Sequence, residues 1–173
     1  MQILLTLIVR RENEPPLLAK KCHHIDGYDY SENMMKVAKK KWRDISNASF
    51  FASDARTIEY KQKYDGAMLL GLLMYMQSQD DQYCTLKELH DHLSDNAYIA
   101  VKDTLNVMGN DVNYLFNLGN KYEVQYYSVE SYKQQLIKAG FKLVYEFEMD
   151  FLEKKTVSLS RLEQYGVRSE RHE

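Results

Sequence analysis

The chain has 173 residues, 45 % of them hydrophobic, and a formal net charge of −2, which suits one buried core and supplies no bulk attraction to phosphate backbones or anionic lipid. A nucleic-acid substrate is therefore not expected. No apolar run approaches the ~18 residues of a bilayer span, so no membrane partner is expected either.

The opening MQILLTLIV has neither a basic n-region nor a small-residue cleavage site, which argues against a signal peptide. Cys22 and Cys84 stand far apart outside any CxxC pair and read as buried thiols in a reducing, cytoplasmic setting. No spacing suggests a metal site.

Ile3 to Val9 is a β-branched and leucine run of the length of a strand buried on both faces. Pro15 and Pro16 suit the first turn of a short helix through Leu17, Leu18 and Ala19, where a missing N–H is harmless. His24 to Tyr30 predicts a second strand. Ser31 then caps a helix with Glu32 in its first turn and Met34, Met35, Val37 and Ala38 on its apolar side. The lysines Lys36, Lys39, Lys40 and Lys41 read as a solvated face near the C-terminal end.

Strands are predicted at Ala48–Ala52 and Tyr64–Leu70, and a helix from Asp80 and Asp81 to about Leu93, with Cys84, Leu86, Leu89 and Leu93 inward. A fifth strand at Ala97–Val101 ends at Lys102-Asp103. Ser128 caps a last helix with Val129, Tyr132, Leu136 and Ile137 apolar, and Gly140 supplies its left-handed stop. Phe141–Met149 and Thr156–Leu162 read as a closing antiparallel pair at the sheet edge. The alternation predicts a Rossmann-like α/β fold: a mostly parallel sheet, helices on both faces and an antiparallel C-terminal strand. Without repeat, linker or low-complexity tract, residues 1–173 form a single domain in this reading.

In open α/β sheets ligands bind beyond the carboxyl ends of the strands, so polar residues just after strands are the candidates. Asp29 ends the second strand and suits the two hydroxyls of a ribose; the plainer reading is a solvated turn aspartate. Asp54 and Ala55 follow the third strand and offer a carboxylate and an N–H to an adenine edge, although Asp-Ala is also common in turns. Leu70-Gly71-Leu72 spans the end of the fourth strand and its loop, where glycine permits close ligand approach or simple helix packing. Asp103 after the fifth strand is a candidate base or a salt-bridged strand end. His90 and His92, two apart on a helix, read as solvated, and His23 and His24 as loop residues.

The succession HHIDGYDYSENMMKVAKKK, FFASDARTIEY, KYDGAMLLGLLMYM, LSDNAYIAVKDTL and SVESYKQQLIKAGFKLV resembles the class I S-adenosylmethionine-dependent methyltransferases over about residues 17 to 162. The resemblance implies a cofactor, S-adenosylmethionine, with Asp29 at the ribose, its neighbour Tyr30 also among the cofactor-binding residues, Asp54 and Ala55 at the adenine, and Leu70 and Gly71 on the inner wall. It implies methyl transfer to an oxygen or nitrogen of a small molecule, with Asp103 as the candidate catalytic base. It also places a substrate cover at Thr104 to Tyr127, rich in asparagine and tyrosine: Asn106, Asn113, Tyr114, Asn117, Tyr122, Tyr126 and Tyr127.

One motif departs. Where the family carries an acid and a glycine-rich turn after its first strand, residues 5–14 read LTLIVRRENE without a glycine. Weak or absent cofactor binding, a variant loop using Glu12 or Glu14 as the acid, and a displaced reading frame over the first codons all remain open. The alternative function is a non-catalytic methyltransferase-like binding or scaffold protein. The oligomeric state is not legible in the sequence.

Overall fold

The computed structural model describes residues 3–7, 14–76, 78–106, 108–118, 120–146 and 165–169. Strands β1 (Ile3–Leu7), β2 (His24–Asp29), β3 (Ala48–Ala52), β4 (Tyr64–Leu70) and β5 (Leu93–Lys102) alternate with helices α1 (Glu14–Ala19), α2 (Glu32–Lys41) and α3 (Gln79–Asp91). An antiparallel pair, β6 (Val112–Leu118) and β7 (Asn120–Tyr126), is followed by α4 (Val129–Lys138), β8 (Phe141–Tyr145) and β9 (Tyr165–Ser169). The main sheet has the order β3-β2-β1-β4-β5-β9-β8, and β6-β7 stands apart from it.

The first five strands pair in parallel. From β1 the chain steps one way to β2 and β3, then crosses back and steps the other way to β4 and β5. Parallel crossovers are right-handed, so reversing the direction of travel puts α1 and α2 on one face and α3 on the other. Two apolar clusters follow. Met35, Ala38, Trp42 and Phe50 pack between α2 and β3, while Leu86, Leu89, Tyr132, Leu136 and Phe141 join the inner residues of β4 and β5.

The helix caps agree with the chemistry of their residues. The Ser31 Oγ accepts from the Met34 N–H at 3.3 Å and the Ser128 Oγ from the Ser131 N–H at 3.2 Å. Gly140 takes φ +104°, the left-handed stop of α4.

Several expectations need correction. The cap of α3 is Ser78, whose Oγ accepts from the Asp81 N–H, so Asp80 and Asp81 lie in the first turn. Its inner face is Gln82, Thr85, Leu86, Leu89 and His90; Cys84 is exposed on the far side, and Cys22 is only partly covered. Val37 and Ile137 also point outward, at 49 % and 52 % exposure, because Met35 with Ala38, and Tyr132 with Leu136, already occupy the three- and four-residue spacing of the inner stripes.

Leu93 belongs to β5, which starts early and bulges: Tyr64 pairs with Leu93 but Gly66 with Tyr98, and Asn96 absorbs the excess at φ +62°. β8 runs from Phe141 to Tyr145, residues 147–149 of the expected strand lie outside the described residues, and the antiparallel partner of β8 is Tyr165–Ser169. The expected strand at Thr156–Leu162 lies outside the described residues. The antiparallel strand is not the sheet edge: β9 fills the gap between β5 and β8, pairing with both.

Near the amino ends of β2 and β4 sits a buried polar group. Tyr64, fully buried, donates from its hydroxyl to Asp26 Oδ2 at 2.9 Å, and Asp26, 3 % exposed, also meets His24 Nε2 at 3.1 Å. Burial, and then the bond to Asp26, raise the Tyr64 pKa above its ordinary value. Tyr64→Phe strips a donor from a buried carboxylate and is expected to cost about 2 kcal/mol in urea unfolding at neutral pH. The raised folded pKa means that the tyrosine's stabilisation is complete below about pH 10 and is lost as pH climbs toward the folded value. Wild type should therefore lose more stability than Tyr64→Phe above about pH 10; parallel curves would contradict the assignment.

Candidate functional site

Where β1 and β4 are neighbours the connections leave for opposite faces, and a crevice opens beyond the strand tips. A cavity of about 690 Å³ lies there. The tip of β2 contributes Tyr28, Asp29, Tyr30 and Ser31, and the tip of β3 contributes Ser53, Asp54, Ala55 and Arg56. Leu72, Tyr75 and Met76 from the segment after β4 form the apolar side, with Ser78 and Asp81 at the start of α3. The Ser53 N–H donates to the Asp29 carbonyl at 2.9 Å, continuing the β2–β3 ladder one step and holding the two acidic tips side by side. The size is within the ~300–1,000 Å³ usual for small-molecule sites.

Asp29 Oδ1 accepts from the Ser31 N–H at 2.8 Å, which turns the carboxylate at the point where the chain enters α2. Asp54 caps a single 3₁₀ turn, Ala55–Thr57, by accepting from the Arg56 N–H. The Arg56 guanidinium also grips it, Nη2 to Oδ2 at 2.6 Å and Nε to Oδ1 at 3.0 Å, and reaches Asp81 Oδ2 at 3.5 Å. These bonds hold the Asp54 carboxyl below the usual carboxylate range. Tyr28 stacks on Phe51 with ring centroids 5.1 Å apart, while Tyr30 stands 79 % exposed at the rim.

The structure thus brings together four of the expected residues, Asp29, Tyr30, Asp54 and Ala55, and leaves three aside. Leu70 and Gly71 are buried and do not line the cavity. Gly71, at φ +67°, bonds through its N–H to the Lys102 carbonyl and turns the chain so that Leu72, Tyr75 and Met76 form the wall instead. Asp103 lies outside the lining as well. Its Oδ2 accepts from the Leu73 N–H at 3.0 Å and the Tyr132 hydroxyl at 2.8 Å. Through these two bonds Asp103 braces the wall from behind.

Other braces come from far along the chain. Gln82 Nε2 donates to the Leu73 and Met76 carbonyls at 2.9 and 3.0 Å, and the Tyr127 hydroxyl donates to Met76 O at 2.7 Å. Burial pushes Tyr127 up to about 12, so it stays a neutral donor. Asp103→Ala leaves two donors unmet and is expected to cost about 2–3 kcal/mol in urea unfolding, with Asp103→Asn recovering most of it. An asparagine variant as unstable as the alanine one would contradict the bracing role.

The segment expected to cover the substrate forms the β6–β7 pair. Tyr127, at 1 % exposure, turns into the core rather than a pocket, and Asn106 serves the local turn by donating to Asn110 O. The side chains of Asn113, Tyr114, Asn117 and Tyr122 lie outside the described residues, as does the glycine-free stretch from 8 to 13. His90 is buried, not solvated, and His92 stacks on Tyr60 at 4.7 Å. Among the described residues no three His, Cys, Asp or Glu side chains assemble as a metal would require, and no helix is long and apolar enough to cross a membrane.

Sequence reading missed Tyr28, Arg56, Tyr75, Met76 and Asp81 as cavity residues. For Arg56 a signal existed: a cation two residues after a turn aspartate can close back on it. For Tyr75 and Met76 none did, since the wall depends on distant Gln82, Asp103 and Tyr127.

Residues 15–96 match the family model described as a methyltransferase domain. Among solved structures the chain is similar to an S-adenosylmethionine-dependent methyltransferase from Clostridium acetobutylicum, TM-score 0.74 and 18 % identity, covering 96 % of this chain and 83 % of that one. A SAM-dependent methyltransferase from Methanosarcina mazei gives TM-score 0.73 and 14 % identity over 97 % and 92 %. The Burkholderia thailandensis 1,6-didemethyltoxoflavin-N1-methyltransferase, solved with 1,6-didemethyltoxoflavin and S-adenosylhomocysteine, gives 0.72 and 16 % over 96 % and 69 %. No curated protein matches the sequence.

Proposed function

We propose that the chain is a class I S-adenosylmethionine-dependent methyltransferase, a reading supported by the match of residues 15–96 to a methyltransferase-domain model, and that it binds S-adenosylmethionine in the strand-tip cavity and methylates an oxygen or nitrogen of a small molecule. The observation that carries the proposal is the meeting of Asp29 and Asp54, from adjacent strand tips, in one cavity. The donor set fits an adenosine: a carboxylate at the β2 tip for the ribose, a carboxylate and the Ala55 N–H at the β3 tip for the base, and apolar walls from Leu72 and Met76.

When bound, the cofactor supplies an electrophilic methyl on a sulfonium. The chain's own work is alignment and exclusion of water. Asp29 fixes the ribose, the braced segment around Tyr75 and Met76 holds the wall in one place, and Tyr30 at the rim covers the planar base. The similar Burkholderia protein, named as an N1-methyltransferase, supports an acceptor of small-molecule size. We read the chain as one domain working in the cytoplasm, with no nucleic-acid partner.

A second reading, a non-catalytic binding protein, is favoured by the glycine-free residues 5–14. Without glycine the backbone beyond β1 does not readily take positive φ or let a ligand approach closely. Titration calorimetry with S-adenosylmethionine and S-adenosylhomocysteine separates the outcomes. Micromolar binding with turnover on an acceptor removes the second reading; binding without turnover on any acceptor favours it. No heat up to millimolar cofactor removes the first.

A further inference from the structure

Among the described residues lining the cavity, Arg56 is the cation, set between the carboxylates of Asp54 and Asp81. The geometry points to Arg56 as the residue that sets base selectivity here: by clasping Asp54 it aims that carboxylate at the exocyclic amine of an adenine-type nucleoside. The inference rests on the nucleoside reading of the cavity and adds to it a residue outside the expected binding set.

A carboxylate offers about four acceptor positions. Oδ1 of Asp54 receives the Arg56 backbone N–H at 2.9 Å and Nε at 3.0 Å, which fills it. Oδ2 receives Nη2 at 2.6 Å and a longer contact from Nε at 3.2 Å, which leaves it room for one more donor. The backbone bond alone would leave Oδ2 to swing. A planar guanidinium lying along the carboxylate fixes both oxygens in one plane, something an ammonium cannot do. The guanidinium is itself steadied at its other end by Asp81.

The Arg56 side chain is 51 % exposed, and exposed ion pairs contribute little to folding. Its effect therefore falls on what the carboxylate can recognise. A site built to accept a donor discriminates against a ligand that lacks it, and Arg56 also keeps Asp54 in the ionised, accepting form at acidic pH.

The test is calorimetry on the full chain with adenosine and with purine riboside, which keeps the ring nitrogens but has no amine. Wild type is expected to prefer adenosine by about ten-fold, the scale of one well-placed bond to a charged acceptor. Arg56→Ala should bring the two within about two-fold by weakening adenosine alone, Arg56→Lys should remain close to it, and Asp81→Asn should fall between. The wild-type preference should also persist to lower pH than that of Arg56→Lys. Unchanged preference in Arg56→Ala, or equal loss of both nucleosides, overturns the role given to Arg56. A wild type that binds neither nucleoside nor S-adenosylmethionine overturns the nucleoside reading first, a result the Arg56 variants cannot produce.

Discussion

Gly140→Ala is expected to destabilise the protein by about 3 kcal/mol. Gly140 ends α4 at φ +104°, a region where an L side chain costs roughly 1–2 kcal/mol. A Cβ there would also stand 2.9 Å from His90 Nε2 and 3.1 Å from its Cδ2. His90 cannot easily retreat. It is 6 % exposed, its ring meets Phe141 edge-on at 5.2 Å, and its Nδ1 faces Asp91 Oδ1 at 3.2 Å.

The two causes separate in a double-mutant cycle. Gly140→Ala in a His90→Ala background keeps the backbone cost but removes the collision, so its penalty should shrink to about 1–2 kcal/mol. In a thermal scan the single variant should melt about 6–12 °C below wild type, given the scaling for chains of this length. A Gly140→Ala midpoint within about 0.5 kcal/mol of wild type would show that the α4 terminus adapts at no cost.

Gly140 also marks how far the sequence could be read. Its role was visible because a helix stop is local: an apolar stripe, then Ala-Gly, then a β-branched or aromatic run. Ser31 and Ser128 were legible for the same reason, and so were Ala48–Ala52 and Tyr64–Leu70, whose expected bounds are the observed ones. Cys84 and Val37 were misplaced because apolar side chains at neighbouring helical positions compete for one buried stripe, and the sequence does not rank them. The position of β9 inside the sheet was out of reach: it depends on the crossover through α4 leaving a strand-wide gap beside β5. Much of the site divides along the same line. Asp29 and Asp54 are strand-tip residues found by counting; the bracing of Tyr75 and Met76 by Gln82, Asp103 and Tyr127 spans up to 51 residues of separation and leaves no local trace.

Asp29→Ala should weaken S-adenosylmethionine by about a hundred-fold, close to 3 kcal/mol, if the β2 tip holds the ribose. Two hydroxyls donating to one ionised carboxylate contribute more than neutral pairs, and a crevice partly closed to water strengthens them. Part of any loss could instead come from the turn into α2, because Asp29 Oδ1 also receives the Ser31 N–H. Asp29→Asn keeps that turn bond and sheds the charge, so its melting temperature should match wild type while its affinity stays low. The ligand offers the matching control: 2′,3′-dideoxyadenosine has no ribose hydroxyls, and wild type should bind it as weakly as Asp29→Ala binds adenosine. Asp29→Ala should be indifferent to the missing hydroxyls. A variant that still prefers adenosine over the dideoxy compound would place the ribose away from the β2 tip and take the nucleoside reading with it.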